Sequence, residues 1–230
     1  MIRGIAFDFD GVLVESVDVK TKAYARLFEE YGEGVVSRVV DYHLTNGGVS
    51  RFVKFRVIYS EILKKHLSEK KFQSLCDEFS NIIVDEVVAA PWVEGAREFL
   101  ENNKNRYLFF IVSGTPQDEL RSIVRRREMG HYFCEVLGSP KNEETLLKGA
   151  LSRLKVFPEE AIFVGDADAR TSISMRDRRD VGNVRSLTNR LPSSNPLYTP
   201  LCVLLCATHA LSHALPLFTP AMLHLCLCHY

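Results

Sequence analysis

The chain has 230 residues, 46% of them apolar and 25% charged, with Lys plus Arg and Asp plus Glu balanced at 29 each. That length can bury the core of one domain with a smaller one inserted, and the charge balance leaves neither the basic excess that marks a nucleic-acid partner nor an acidic tail. Met1-Ile2-Arg3 leads directly into a short apolar segment, so no secretory signal is expected, no disulfide framework is required of the six cysteines, and a cytoplasmic protein is expected.

The first element is the stretch Ile5-Ala6-Phe7-Asp8-Phe9-Asp10, which reads as a buried strand closed by Gly11. Side chains alternate along a strand, so Asp8 and Asp10 are expected to face one way and Phe7 and Phe9 the other. In an open parallel sheet, ligands bind at the carboxyl ends of the strands, and two acids there mark a candidate site. The plainer alternative is a strand that runs into an acidic turn.

From Glu15 to Ala90 nothing reads as a core strand. Ala23, Leu27, Phe28 and Tyr31 recur at helical spacing, with Ser16 placed to cap the start. Further helices are expected over about 34–44, 50–66 and 69–88, with Asn46-Gly47-Gly48 as a break. Pro91-Trp92-Val93-Glu94-Gly95 marks the return to the core, followed by a helix to about Asn102. The apolar run Tyr107–Val112 suits a strand covered on both faces. Pro116 then opens a helix to about Arg126, with Asp118 and Glu119 suited to its positive end. A short strand over 132–137, a helix over 142–154 and a strand over 161–164 complete an alternation that implies an α/β fold, a doubly wound parallel sheet.

The ends of these runs carry a resemblance. Asp8-Phe9-Asp10-Gly11-Val12-Leu13 resembles the first motif of the haloacid dehalogenase superfamily of phosphohydrolases, and Val14-Glu15-Ser16 its phosphoglycolate phosphatase and β-phosphoglucomutase branch. Ile111-Val112-Ser113-Gly114-Thr115 resembles the second motif, Ser139-Pro140-Lys141 the third and Ile162-Phe163-Val164-Gly165-Asp166 the fourth, in the family's order. The resemblance implies a Rossmann-like core over 1–14 and 91–168, and a helical cap over 15–90.

By the same resemblance Asp8 is the nucleophile that forms an aspartyl-phosphate, and Asp10 protonates the leaving oxygen and later activates water. Mg²⁺ would be held by Asp8, the Asp10 main-chain carbonyl and Asp166, all hard oxygen donors. Ser113, Gly114 and Lys141 would bind phosphate, and Arg51, after the loop 46–50, would meet the rest of the substrate. The substrate would be a small phosphorylated metabolite, phosphoglycolate or a sugar phosphate, with no nucleic acid or membrane involved.

Structural alternatives stand beside these roles. Ser113 or Thr115 can serve as a simple helix cap, Lys148 competes with Lys141, loop 46–50 can be an interhelix turn with Ser50 as cap, and His43 reads as packed or exposed rather than catalytic. A phosphosugar mutase and a non-catalytic phosphate-binding remnant are the alternative functions.

The family pattern fails after the fourth motif. The second acid expected four residues after Asp166 is replaced by Arg170, although Asp168 lies two residues on. No helix or strand is expected beyond 168, and 169–230 reads as an aberrant extension, out of frame or otherwise, or as a disordered tail. From Leu191 to Tyr230 there is no Asp, Glu, Lys or Arg, and four of the six cysteines and four of the seven histidines lie there. Their spacing does not match paired zinc knuckles, so no zinc site is expected. Prolines and histidines interrupt every long apolar run there, which argues against a transmembrane helix.

Overall fold

A computed structural model describes residues 1–165 and the main chain of 185–187. The strands β1 (Gly4–Phe7), β2 (Leu108–Pro116), β3 (Glu135–Ser139), β4 (Ala161–Val164) and β5 (Arg185–Leu187) form one sheet in the order β3-β2-β1-β4-β5. Every pairing is parallel, and Ala6 of β1 stands level with Phe110 of β2 and Phe163 of β4. The doubly wound α/β architecture read from the sequence is the one observed.

Strands this apolar are stable because both faces are covered. Ala6, Phe110, Val112 and Phe163 share one core cluster with Leu146, Leu147, Ala150 and Leu151 of helix α7 (Glu143–Leu154). Alternate residues Ile5, Phe7, Phe109 and Ile111 belong to the opposite cluster. That cluster includes Leu100 of α5 (Ala96–Asn103) and Leu120 and Ile123 of α6 (Gln117–Arg126).

Between β1 and α5 lie only helices: α1 (Val17–Leu27), α2 (Glu33–Thr45), α3 (Arg51–Val57) and α4 (Glu69–Ala89), with short single turns. They close around Tyr24, Phe28, Phe55 and Phe79, all buried, with ring centroids 4.7 Å apart for Tyr24–Phe79 and 5.9 Å for Phe55–Phe79. The helix expected over 50–66 ends earlier: α3 gives way to a π-helical turn at Ile58–Ile62. None of the helices among the described residues is long and apolar enough to cross a membrane.

Three local expectations are corrected. Ser16 precedes α1 but does not cap it with its side chain, because its hydroxyl is committed to Asp10. The strand expected over 132–137 is displaced to Glu135–Ser139, since Gly130–Tyr132 forms a 3₁₀ turn and pairing with β2 begins at Phe110 opposite Glu135. A strand does follow residue 168: Arg185–Leu187 pairs parallel with Ile162–Val164. Three residues are too few to show a period-two pattern, so the signal was absent from the sequence while β4 offered an edge to pair with. The expectations for Asp166, Asp168, Arg170 and the Cys- and His-rich segment lie outside the described residues.

Phe55 contacts three other aromatic rings and has no exposed surface. Truncating it leaves a cavity that helices from four segments cannot collapse into, so Phe55→Ala should destabilise the protein by about 3–5 kcal/mol. Urea unfolding followed by far-ultraviolet circular dichroism measures this, and a loss below about 1 kcal/mol would contradict the packing described.

Candidate active site

The carboxyl ends of β1 and β2 open into a cavity of about 460 Å³, roofed by residues of α1, α2, α3 and the loop between α2 and α3. β1 ends at Phe7, but the amide of Asp8 still donates to the carbonyl of Val164 at 2.9 Å and holds the residue in line with the sheet. The chain then curls: the amides of Leu13 and Val14 donate to the Phe9 carbonyl at 3.0 and 3.2 Å, and Gly11 takes a φ of 73°, which glycine adopts without strain. This curl buries Phe9 and sets Asp8 and Asp10 on the cavity wall. The two acids line one wall as expected, but both lie beyond β1, and Asp10 forms an isolated bridge with Val14, so the curl rather than strand alternation sets them there.

Asp8 is buried, and its Oδ1 accepts a hydrogen bond of 2.6 Å from the Phe9 amide. Asp10 is more fully engaged. Ser16 Oγ donates to its Oδ1 at 2.6 Å, Thr115 Oγ1 donates to its Oδ2 at 3.1 Å, and the Lys20 ammonium is ion-paired with Oδ2 while also donating to Thr115 Oγ1 at 2.8 Å. Burial alone would raise the Asp10 carboxyl, but the Lys20 charge and the three hydrogen bonds outweigh it and hold the group below its ordinary value.

Ser113, Gly114 and Thr115 line the same cavity. Neither hydroxyl caps a helix: the residue before α6 is Pro116, the Thr115 amide donates to Ser113 Oγ at 3.2 Å, and Thr115 faces Asp10. Gly114 is required by closeness. A Cβ on it would stand 2.4 Å from the carbonyl oxygen of Gly48, so the loop between α2 and α3 lies directly on the second strand. The other side of that loop meets α7, where a Cβ on Gly48 would fall 2.9 Å from a carboxylate oxygen of Glu143.

Arg51 lines the cavity but its charge is already matched. Its guanidinium is ion-paired with Glu119 of α6, donates to Ser80 Oγ at 2.8 Å and lies 4.4 Å from the centre of the Phe79 ring. Ser80 Oγ in turn donates to Glu119 Oε2 at 2.6 Å. Ser50 makes no side-chain cap.

Lys141 is not brought to this cavity. It is exposed and lines a separate, open groove with Gln117, Arg121 and Arg153. Lys148 is paired with Glu144 at 2.8 Å on the surface of α7. The lysines in the cavity wall are instead Lys20 and Lys54. Sequence reasoning missed both, because on amphipathic helices they look like solvated lysines; the only available signal was that Lys20 falls one helical turn after Ser16 and so points back along the same face. His43, read as packed or exposed, is 7% exposed yet part of the cavity wall. Burial and the adjacent Lys54 ammonium push its pKa down to about 3, so the imidazole is neutral.

Among the described residues no three His, Cys, Asp or Glu side chains converge as a metal cluster. The donors present at the cavity, the Asp8 and Asp10 carboxylates and main-chain carbonyls, are all oxygen, which suits a hard cation. Asp166, the remaining candidate ligand, is outside the described residues.

Residues 5–174 match the family model of the haloacid dehalogenase-like hydrolases. A phosphorylated carbohydrates phosphatase from Thermotoga maritima is 26% identical over 173 residues, covering 72% of this chain and 77% of its own. Among solved structures, β-phosphoglucomutase from Clostridium difficile superposes with a TM-score of 0.64 at 19% identity, covering 82% of this chain and 83% of its own. A predicted phosphoglycolate phosphatase from Haemophilus somnus gives 0.57 at 20% identity, covering 72% and 77%. The structural likenesses fix the fold; the family rests on the sequence match, which runs to residue 174 rather than ending at 168.

The contact of Gly48 on Gly114 generates a test. Gly114→Ala must displace the loop that roofs the cavity, so kcat/KM for a phosphomonoester should fall by about tenfold or more while circular dichroism stays unchanged. Parental kinetics in this variant would show that the loop does not rest on β2.

Proposed function

The chain belongs to the haloacid dehalogenase-like hydrolases, and we propose that it is a phosphatase that hydrolyses a small phosphorylated metabolite, a sugar phosphate or phosphoglycolate, through an aspartyl-phosphate on Asp8. The observation that carries this reading is the convergence of Asp8, Asp10, Ser113 and Gly114 on one enclosed cavity at the carboxyl ends of β1 and β2. The relative named for phosphorylated carbohydrates supports the substrate class.

Phosphate monoesters are among the slowest compounds to hydrolyse in water, so a positioned nucleophile and a proton donor are both needed. Asp8, kept in line by the Val164 carbonyl and the Phe9 amide, attacks phosphorus, forming the Asp8–phosphorus bond as the bond to the leaving oxygen breaks. Asp10 delivers a proton to that oxygen, then takes one from the water that cleaves the acyl-phosphate and releases inorganic phosphate. In this reading the Ser113 hydroxyl and the Gly114 amide, both in the cavity lining, hold the phosphate oxygens.

Asp10 as it stands suits the second step, because Lys20 and two hydroxyls favour its carboxylate form. For the first step it must carry a proton, so substrate binding has to draw Lys20 away from it, and the natural destination for that ammonium is the phosphate itself. Lys20 therefore takes in this reading the charge-neutralising role that the third motif assigned to Lys141. Mg²⁺, held by Asp8, the Asp10 carbonyl and Asp166, would offset phosphate charge when bound.

Asp8→Asn keeps the shape and removes the attacking charge, so turnover should drop by several orders of magnitude with the fold retained. Release of inorganic phosphate from a panel of sugar phosphates and phosphoglycolate, with Mg²⁺ present, is the measurement. A folded variant that still turns over near the parental rate would dismiss Asp8 as nucleophile, and an isomerised product without free phosphate would identify a mutase.

A further inference from the structure

His43 carries a hydrogen atom with nowhere to go. Its Nδ1 lies 3.0 Å from the Lys54 ammonium, which also donates to the His43 carbonyl at 3.2 Å. An ammonium has donors and no acceptor, so Nδ1 must be the lone-pair nitrogen, and in a neutral imidazole the proton then sits on Nε2. Nε2 is buried and has no hydrogen-bond partner among the described residues. A buried donor left unpaired is costly, and native interiors rarely tolerate one without reason. The ring packs against Tyr24, tilted by 31° with 4.5 Å between centroids, and it forms part of the cavity wall.

We propose that His43 is a specificity residue whose Nε2–H donates to a hydroxyl of the leaving group, selecting a sugar phosphate over a phosphorylated acid. This deepens the phosphatase reading and rests on it. Position argues for the leaving group: Asp8, Ser113 and Gly114 mark the phosphate end at the strand termini, whereas His43 comes from α2 on the roof. Charge argues for a hydroxyl. Arg51, the roof's guanidinium, is neutralised by Glu119 and is not presented as a full charge to a carboxylate, and the imidazole is uncharged. A neutral donor in a dry wall discriminates against a ligand that lacks its acceptor more sharply than an apolar wall would, because the donor is then left unpaired. Lys54 acts through His43 as a positioning residue that fixes the tautomer.

The test measures binding in the Asp8→Asn background, where turnover does not interfere. Dissociation constants are compared for a panel of pentose and hexose phosphates, phosphoglycolate and butyl phosphate, an ester with no further hydroxyl. The best sugar phosphate should bind at least about tenfold tighter than butyl phosphate or phosphoglycolate. His43→Phe keeps an aromatic ring against Tyr24 and should collapse that ratio about tenfold, while His43→Gln, which restores a donor, should recover most of it. A ratio unchanged in His43→Phe, a parent that prefers neither class, a preference for phosphoglycolate, or no rescue by glutamine would each overturn the proposal. If His43→Phe does not fold, His43→Gln and Lys54→Met decide: the first must keep the ratio and the second lower it. Phosphate release by the parent is scored separately, so a protein that binds sugar phosphates selectively but hydrolyses none would reject the phosphatase reading and leave the His43 assignment standing.

Discussion

Among the contacts that hold the helical insert against the end of the sheet is a water-excluded charge pair. Arg51 on α3 and Glu119 on α6 expose only 4% and 8% of their side chains, and Ser80 on α4 bridges them. Desolvating two charges costs as much as their attraction returns unless the geometry is good and other hydrogen bonds complete it, and here Ser80 and the Phe79 ring supply the completion. Such a pair adds little net stability, but separating its members would strand a charge in an apolar setting. Its effect is to specify one docked position for the insert, and Gly48 packed on Gly114 is that same position seen from the other side of the loop.

From that docking the behaviour of the acids follows. Lys20 comes from α1, within the insert, and reaches across to Asp10 and Thr115 of the core. The ionisation of Asp10 is therefore set in part by a residue of the insert rather than by the core alone. One ammonium and two hydroxyls also fix the position of this carboxylate, which in the proposed reading is what a group meeting a leaving oxygen within hydrogen-bond reach requires.

The parts of this arrangement legible in the sequence are those whose cause is local. Asp8 and Asp10 could be placed because a short apolar run ending in glycine fixes where a strand stops, and the order of the four motifs gave fold and family together. The contacts that decide the chemistry join segments far apart: Arg51 and Glu119 are separated by 68 positions and Lys20 and Thr115 by 95. No periodicity reports such pairs. Ser16 shows the ambiguity well, since a serine before a helix signals a cap, yet here its hydroxyl has a better acceptor in Asp10. Lys141 shows the converse: its local setting fits a phosphate lysine, but the turn before α7 leaves it exposed and brings Glu143, two residues on, against the roof loop.

Asp10 with Lys20 and Arg51 with Glu119 are compensated within the protein before any ligand enters. A phosphate dianion cannot simply be added to such a wall. It must exchange one set of partners for another, and the exchange most accessible is at Lys20, whose ammonium already stands between Asp10 and the Thr115 hydroxyl. In the proposed reading, when that ammonium turns to the phosphate Asp10 loses its neighbouring positive charge while its burial remains, and burial raises the carboxyl against the Ser16 and Thr115 hydrogen bonds that still favour its charged form. In that reading, binding of the anion would favour the proton donor that cleavage of its ester requires, and loss of phosphate would restore the pair.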